Sequence, residues 1–310
     1  MLSNILKTCL NIRKNEVVLI VTDDNKLEVA AELESAVRQL SGEVLVIKMK
    51  PRSHHAEEPP KAVAYAMRSA GVVIAPTTMS LTHTDARKKA CEAGARVATM
   101  PGITMEMLRE GAFLADYSKI KVKTEKIAKL LTKASKIRIK TSLGSDFSTS
   151  LRGRKGIADS GIMTKKGAFG NLPAGEAFIA PVEGSSSGVL VFDGSFSSLG
   201  VLREPLKLQI EKGKVTSCEG SDAERMMQIL KKYKNASNVA EIGIGTNEKA
   251  RLIGNVLEDE KVFGTAHAAL GDNHTFGGKT KAEVHLDGII KRSNVWLDGR
   301  QIMREGELLH

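Results

Sequence analysis

From Glu16 onward, short apolar runs of strand length alternate with stretches whose apolar positions recur at helical spacing. Val17 to Thr22 and Glu43 to Met49 are rich in β-branched residues and predict strands, with a helix from about Lys26 to Leu40 between them. The alternation continues with a helix near Lys61 to Ser69, the run VVIAPTT after Gly71, a helix near Thr84 to Ala93, the run Arg96 to Met100 and a helical turn near Met105 to Gly111. Strands that alternate with helices predict a parallel sheet wrapped on both faces, a doubly wound domain. The opening MLSNILKTCLNIRK has lysine and arginine among its apolar positions and no small-residue cleavage site, so it predicts a short amphipathic helix and no signal peptide.

After a lysine-rich helix within Lys119 to Lys140 the texture changes to short alternating runs broken by glycine and serine, up to about Val215. The predicted fold class is therefore α/β: a doubly wound parallel-sheet domain over residues 1–136, then a β-rich α+β domain over 137–310. Asp193-Gly194 and Asp298-Gly299 each sit between apolar runs and predict hairpin turns. A helix over Ser221 to Lys234 interrupts the β pattern, with Ser221 as N-cap candidate and Glu224 three residues on.

Composition narrows the setting. A chain of 310 residues has enough core to fold without staples, and its three cysteines, Cys9, Cys91 and Cys218, lack any CxxC spacing. A reducing, cytoplasmic setting is expected. No apolar run approaches the length that spans a bilayer, so no membrane partner is expected. The formal charge is +10, but the lysines fall where a helix exposes them and only 4% of residues are aromatic, which leaves few stacking platforms for bases. Nucleic acid is not an expected partner.

The candidate chemistry lies late in the chain, where Leu257 to Ile290 holds three of the seven histidines. On an extended strand through Ala282 to Ile290, His285 and Asp287 project from the same face. His267 and His274 are seven residues apart with Gly271 between them, a spacing that a tight loop would bring together. Imidazoles with a carboxylate suit zinc, iron(II) or manganese. Against this, a histidine in a β-rich domain is more often a hydrogen-bonded bystander, and spacing alone leaves both readings open. His54 and His55 are adjacent in a Pro-rich loop and belong to a solvated loop. The first strand exits into TDDNK with no GxGxxG, which excludes a dinucleotide fingerprint there. Asp23, Thr77 and Thr78 stand at strand ends as a weaker site.

Two further segments, NLPAGEAFIAPVEG and AEIGIG, place Glu176 and Glu241 at the heads of apolar runs, a costly position for a charge unless a cation pairs with it. Together with HAALGDNH and HLDG, they resemble the M29 family of metal-dependent aminopeptidases in order and approximate separation. The resemblance implies metal ligands at Glu176, Glu241, His267, His285 and Asp287. It places His274, as a sixth metal ligand, where the family has a tyrosine, and it makes Glu260 of the Asp259-Glu260 pair the candidate general base. Typical members are longer than this chain. What it implies of the reaction is a hydrolase that removes N-terminal residues from peptides, with two zinc, cobalt or manganese ions sharing a bridging water, in a homodimer.

Two other readings remain. The same fold family is similar to an iron-dependent dioxygenase that opens dihydroxypyridine rings, for which His267, His285 and Asp287 would supply the two-histidine, one-carboxylate triad around one iron(II). A non-catalytic binding protein that keeps the metal is the third. The substrate is accordingly a peptide or a small molecule.

Overall fold

A computed structural model describes residues 1–309, which fall into two compact units. The first comprises Met1–Lys121 with Asp159–Ala174, and the second Val122–Ala158 with the chain from Gly175 onward.

In the first unit the strands Val17–Asp23, Glu43–Met49, Val72–Ala75 and Arg96–Thr99 are connected by the helices Leu27–Arg38, Lys61–Ser69 and Asp85–Glu92. A helix in each connection returns the chain to the start of the sheet, so the strands pair in parallel, Val18 against Val44 on one side and against Val72 on the other. A fifth strand, Phe169–Asn171, joins in parallel beside Arg96–Thr99. Leu19, Val21, Val73, Ala75 and Val97 pack with Val63, Met67, Ala86 and Ala90 of two of the helices. The alternate positions Val18, Ile20, Val72 and Ile74 are buried as well, as a parallel sheet covered on both faces requires. Local signals set the helix starts: Thr84 and Thr104 accept the backbone N–H of Arg87 and Met107 at 3.2 Å.

The second unit is built on two antiparallel sheets, of eight and seven strands, with one apolar core. Ile137, Ile139, Phe147, Leu190 and Leu208 come to it from the larger sheet, and Ile179, Ile242, Ile244, Ala268, Leu286 and Ile290 from the smaller. The helix Ala223–Lys232 adds Met226 and Leu230. The mixed α/β architecture follows the expected order, a parallel sheet and then antiparallel ones.

Of three local expectations, one holds and two change. Asp298-Gly299 is a true hairpin between Asn294–Leu297 and Arg300–Arg304, with both residues at positive φ, 48° and 85°. Asp193-Gly194 is not a hairpin. The strands on either side of it belong to different sheets, and its two backbone N–H groups both donate to Ile289 O, which carries the chain from one sheet to the other. The helix after Gly220 begins at Ala223 with Asp222 as its N-cap and no side-chain cap bond, because a turn closed by Ala223 N to Gly220 O occupies the place of the predicted Ser221 cap. Among the described residues no helix is long and apolar enough to cross a membrane.

Candidate metal centre

Strand register assembles the site. Glu176–Ile179, Val239–Gly245, Ala266–Gly271 and His285–Ile290 are successive neighbours in the seven-stranded sheet. Gly245 stands opposite Glu176, Gly243 opposite His267, Ala269 opposite both Glu241 and Asp287, and Gly271 opposite His285. Residues paired in register share a face, so Glu176, Glu241, His267, His285 and Asp287 all project from the side opposite the apolar core. The small residues Gly243, Gly245, Ala269 and Gly271 lie between them on that face, with Phe178 and Ile289 at its flanks. At Gly243 the space is already taken, since an added Cβ would stand 2.0 Å from His267 Nε2.

The five side chains form two groups that share Glu241: Glu176, Glu241 and His267 in one, and Glu241, His285 and Asp287 in the other. Within each group the ligand atoms lie within 4.8 Å of one another, the spread allowed to donors that each sit about 2.0 to 2.4 Å from a shared ion. His267 Nε2 is 2.9 Å from Glu176 Oε2 and 3.4 Å from Glu241 Oε1, and His285 Nε2 is 3.3 Å from Asp287 Oδ1. These approaches are close, yet both ring nitrogens of His267, Glu176 Oε2 and Asp287 Oδ1 are buried without a hydrogen bond of acceptable angle. Buried polar atoms that crowd one another without bonding are costly unless a cation gathers them. Imidazole nitrogens and carboxylate oxygens, with no thiolate, are the donors of a borderline divalent metal such as iron(II).

The protonation pattern is consistent with this. Burial depresses His267, but the close carboxylates of Glu176 and Glu241 outweigh it and push the imidazole up to about 10. His285 is likewise depressed by burial and carried well above its ordinary value by Asp287 and Glu241. Burial raises the Glu241 carboxyl, with Asp287 and Glu176 adding to the shift. For Glu176 and Asp287 burial also acts upward but is overcome, by Lys261 and His267 in the first case and mainly by His285 in the second, so both lie low. The carboxylates that hold protons on the imidazoles would hold a dication in their place.

Of the residues singled out in the sequence, the structure brings these five together and leaves His274 outside both groups. The tight loop expected to join His267 to His274 does not form. His267 lies within a strand, and the Nδ1 of His274, which is partly exposed, is bound to Asp272 at 2.8 Å. Glu260 is buried beside the cluster, and its carboxyl is pushed well above the usual range by burial and by Glu176. Its neighbour Asp259 has a structural task, accepting from Ser195 Oγ at 2.6 Å and from Ile253 N at 2.7 Å.

Sequence reasoning missed Lys261. It is fully buried, and its Nζ donates to Glu176 Oε1 at 2.6 Å and to Glu260 Oε1. Two aromatic rings were missed as well: Phe276 packs edge-on against His285 at 5.7 Å between centroids and against Phe178 at 5.6 Å. His285 Nδ1 lies 2.8 Å from Asp272 O, a bond that leaves Nε2 to face the carboxylates.

The chain is thus a two-unit α/β protein with a buried imidazole–carboxylate cluster on one face of its seven-stranded sheet. A solved structure of wild-type AmpT from Thermus thermophilus, an M29 aminopeptidase, matches it with a TM-score of 0.72 at 15% identity, over 100% of this chain and 98% of that one. The chain belongs to the 2,5-dihydroxypyridine 5,6-dioxygenase (NicX) family, whose model matches residues 1–310. The 2,5-dihydroxypyridine 5,6-dioxygenase of Pseudomonas putida is 25% identical over 263 residues, which cover 80% of this chain and 73% of that protein. A solved structure of 2,5-dihydroxypyridine dioxygenase from Pseudomonas putida KT2440 matches with a TM-score of 0.87 at 21% identity, over 99% of this chain and 95% of that one.

These matches correct the expected reaction. The likeness to M29 peptidases holds for the fold, while the expectation of an aminopeptidase hydrolase acting on peptides is overturned by membership of a dioxygenase family. The family implies an iron cofactor, the alternative to the pair of zinc, cobalt or manganese ions that the peptidase resemblance implied.

Proposed function

We propose that this chain is an iron(II)-dependent dioxygenase that opens the ring of a dihydroxypyridine, with His267, His285 and Asp287 as the protein ligands of one iron. The observation that carries the reading is that two imidazoles and Asp287 project from one sheet face, His267 in one donor group and His285 with Asp287 in the adjoining group that shares Glu241, with both His267 nitrogens and Asp287 Oδ1 buried without a hydrogen bond, in a chain matched over residues 1–310 by that family's model. The charge of Asp287 acts on both imidazoles. Two imidazoles and a carboxylate leave coordination positions for substrate and dioxygen. Iron(II), when bound, supplies the one-electron chemistry by which dioxygen reacts with an aromatic ring.

The chain's own residues do the rest. The bond from His285 Nδ1 to Asp272 O fixes the orientation of one ligand. Glu260, whose carboxylate accepts from Lys261 and whose burial makes it a stronger base than an ordinary carboxylate, is the group to take and hold a proton from a substrate hydroxyl. Phe276 and Phe178 present apolar edges beside His285, a surface suited to a flat aromatic ring.

The test is reconstitution. Protein loaded with iron(II) under anaerobic conditions and then mixed with 2,5-dihydroxypyridine and air should consume oxygen as the ring absorbance is lost, and His285→Ala and Asp287→Ala should do neither. Iron-loaded protein that consumes no oxygen with any dihydroxypyridine would contradict the reading.

A further inference from the structure

We infer that Lys261 takes the place that a second divalent ion would otherwise fill, and thereby limits the centre to one metal; the inference rests on the single-iron reading above. The donors come as two sets sharing Glu241, and by donor type either set would serve a dication. A carboxylate shared between two donor sets is what a pair of ions held about 3.5 to 4 Å apart requires. Nothing in the imidazoles or carboxylates alone rules out a pair.

The sets differ in one respect. Oε1 of Glu176 is already engaged by the ammonium of Lys261 at 2.6 Å, and that lysine is fully buried, held also by Glu260. Among the described residues Glu241 and Asp287 have ion pairs only with histidines. The two carboxylates Glu241 and Asp287 therefore balance one dication between them. The charge of Glu176 is answered by an ammonium, and a second dication brought to Glu176 would meet that fixed positive charge at close range and out of water.

The position of Lys261 follows from the chain. The short helix Val256–Asp259 ends in a turn in which Lys261 N donates to Glu258 O, and the following residues run into the strand that carries His267. The lysine is thus delivered under the sheet face from the segment immediately before the first histidine, at a fixed distance from Glu176. A solvated lysine would act on the site only through a screened, mobile charge, whereas this one is as much a part of the donor arrangement as the carboxylates.

Counting metal per chain tests the inference. Metal-free protein is titrated anaerobically with ferrous ion, and separately with zinc ion as a redox-inert probe, and the bound metal is measured by elemental mass spectrometry. Wild type should saturate at about one ion, Lys261→Met at about two and Lys261→Arg at about one. Lys261→Met that stays at one ion overturns the inference and leaves the single-metal centre standing. Wild type that takes two ions overturns both, and wild type that takes none overturns the metal centre itself. Should Lys261→Met fail to fold, Lys261→Gln decides, since its amide can still donate to Glu176 without carrying a charge: it should also saturate at about two ions. Saturation of a folded Lys261→Gln at one ion would overturn the inference.

Discussion

At position 243 the absence of a side chain is what lets His267 stand in the sheet face, because a Cβ there would lie 2.0 Å from Nε2 and 2.4 Å from Cε1 of the imidazole. Gly243→Ala should therefore displace the ring and lower iron affinity by at least the ten- to hundredfold typical, as an order of magnitude, of disturbed ligand support, with the circular dichroism of the fold retained. Equal iron content in the two proteins would show that the ring has another way to sit. The ligand types were visible in the sequence because His285 and Asp287 are two apart on a strand, and Glu176 and Glu241 sit in apolar runs. Lys261 was not. It stands in the charged run EDEK, a pattern that ordinarily marks a solvated surface, and only the fold buries it against Glu176. His274 shows the opposite error. Its spacing from His267 looked suitable, but Asp272 is two residues away and takes the ring nitrogen locally.

The parallel strands were legible because buried strands are continuous apolar runs, as in VVLIV and VVIA, and the helices between them have a clear period. The fifth strand, Phe-Gly-Asn at 169–171, is three residues long and has no period to detect. The same Asp-Gly dipeptide gave two outcomes, a hairpin at 298–299 and a crossing between sheets at 193–194, because the partner of Asp193 and Gly194 is Ile289, far along the chain. Elements of the parallel sheet are tied at their starts by Glu16, whose Oε2 accepts from the buried Arg96 at 2.7 Å and from Arg13 N at 2.9 Å. Burial alone would raise this carboxyl, but these hydrogen bonds prevail and hold it below its ordinary 4.5. A carboxylate depressed in the folded state adds stability that is complete above 4.5 and is lost as pH falls through the lower folded value. Glu16→Gln should thus be less stable at neutral pH by about 1 to 3 kcal/mol, and the gap should close in acid. Urea unfolding at about pH 7 and about pH 3.5 measures both, and a gap that is unchanged between them would contradict the assignment.

For the whole molecule, the fold alone does not choose the reaction, since an M29 aminopeptidase and a dihydroxypyridine dioxygenase share it, at TM-scores of 0.72 and 0.87 to this chain. The sequence motifs therefore led correctly to the architecture, and the peptidase reading failed because one fold is shared by proteins of two reaction classes. What separates them is where the product's oxygen comes from. The most direct measurement is turnover of 2,5-dihydroxypyridine by iron-loaded protein under ¹⁸O-labelled dioxygen in ordinary water, with the ring-opened product analysed by mass spectrometry at early times. Ring opening by a dioxygenase places both labelled atoms in the product, one on each carbon of the broken bond. A product that carries oxygen from water and none from dioxygen would contradict the account.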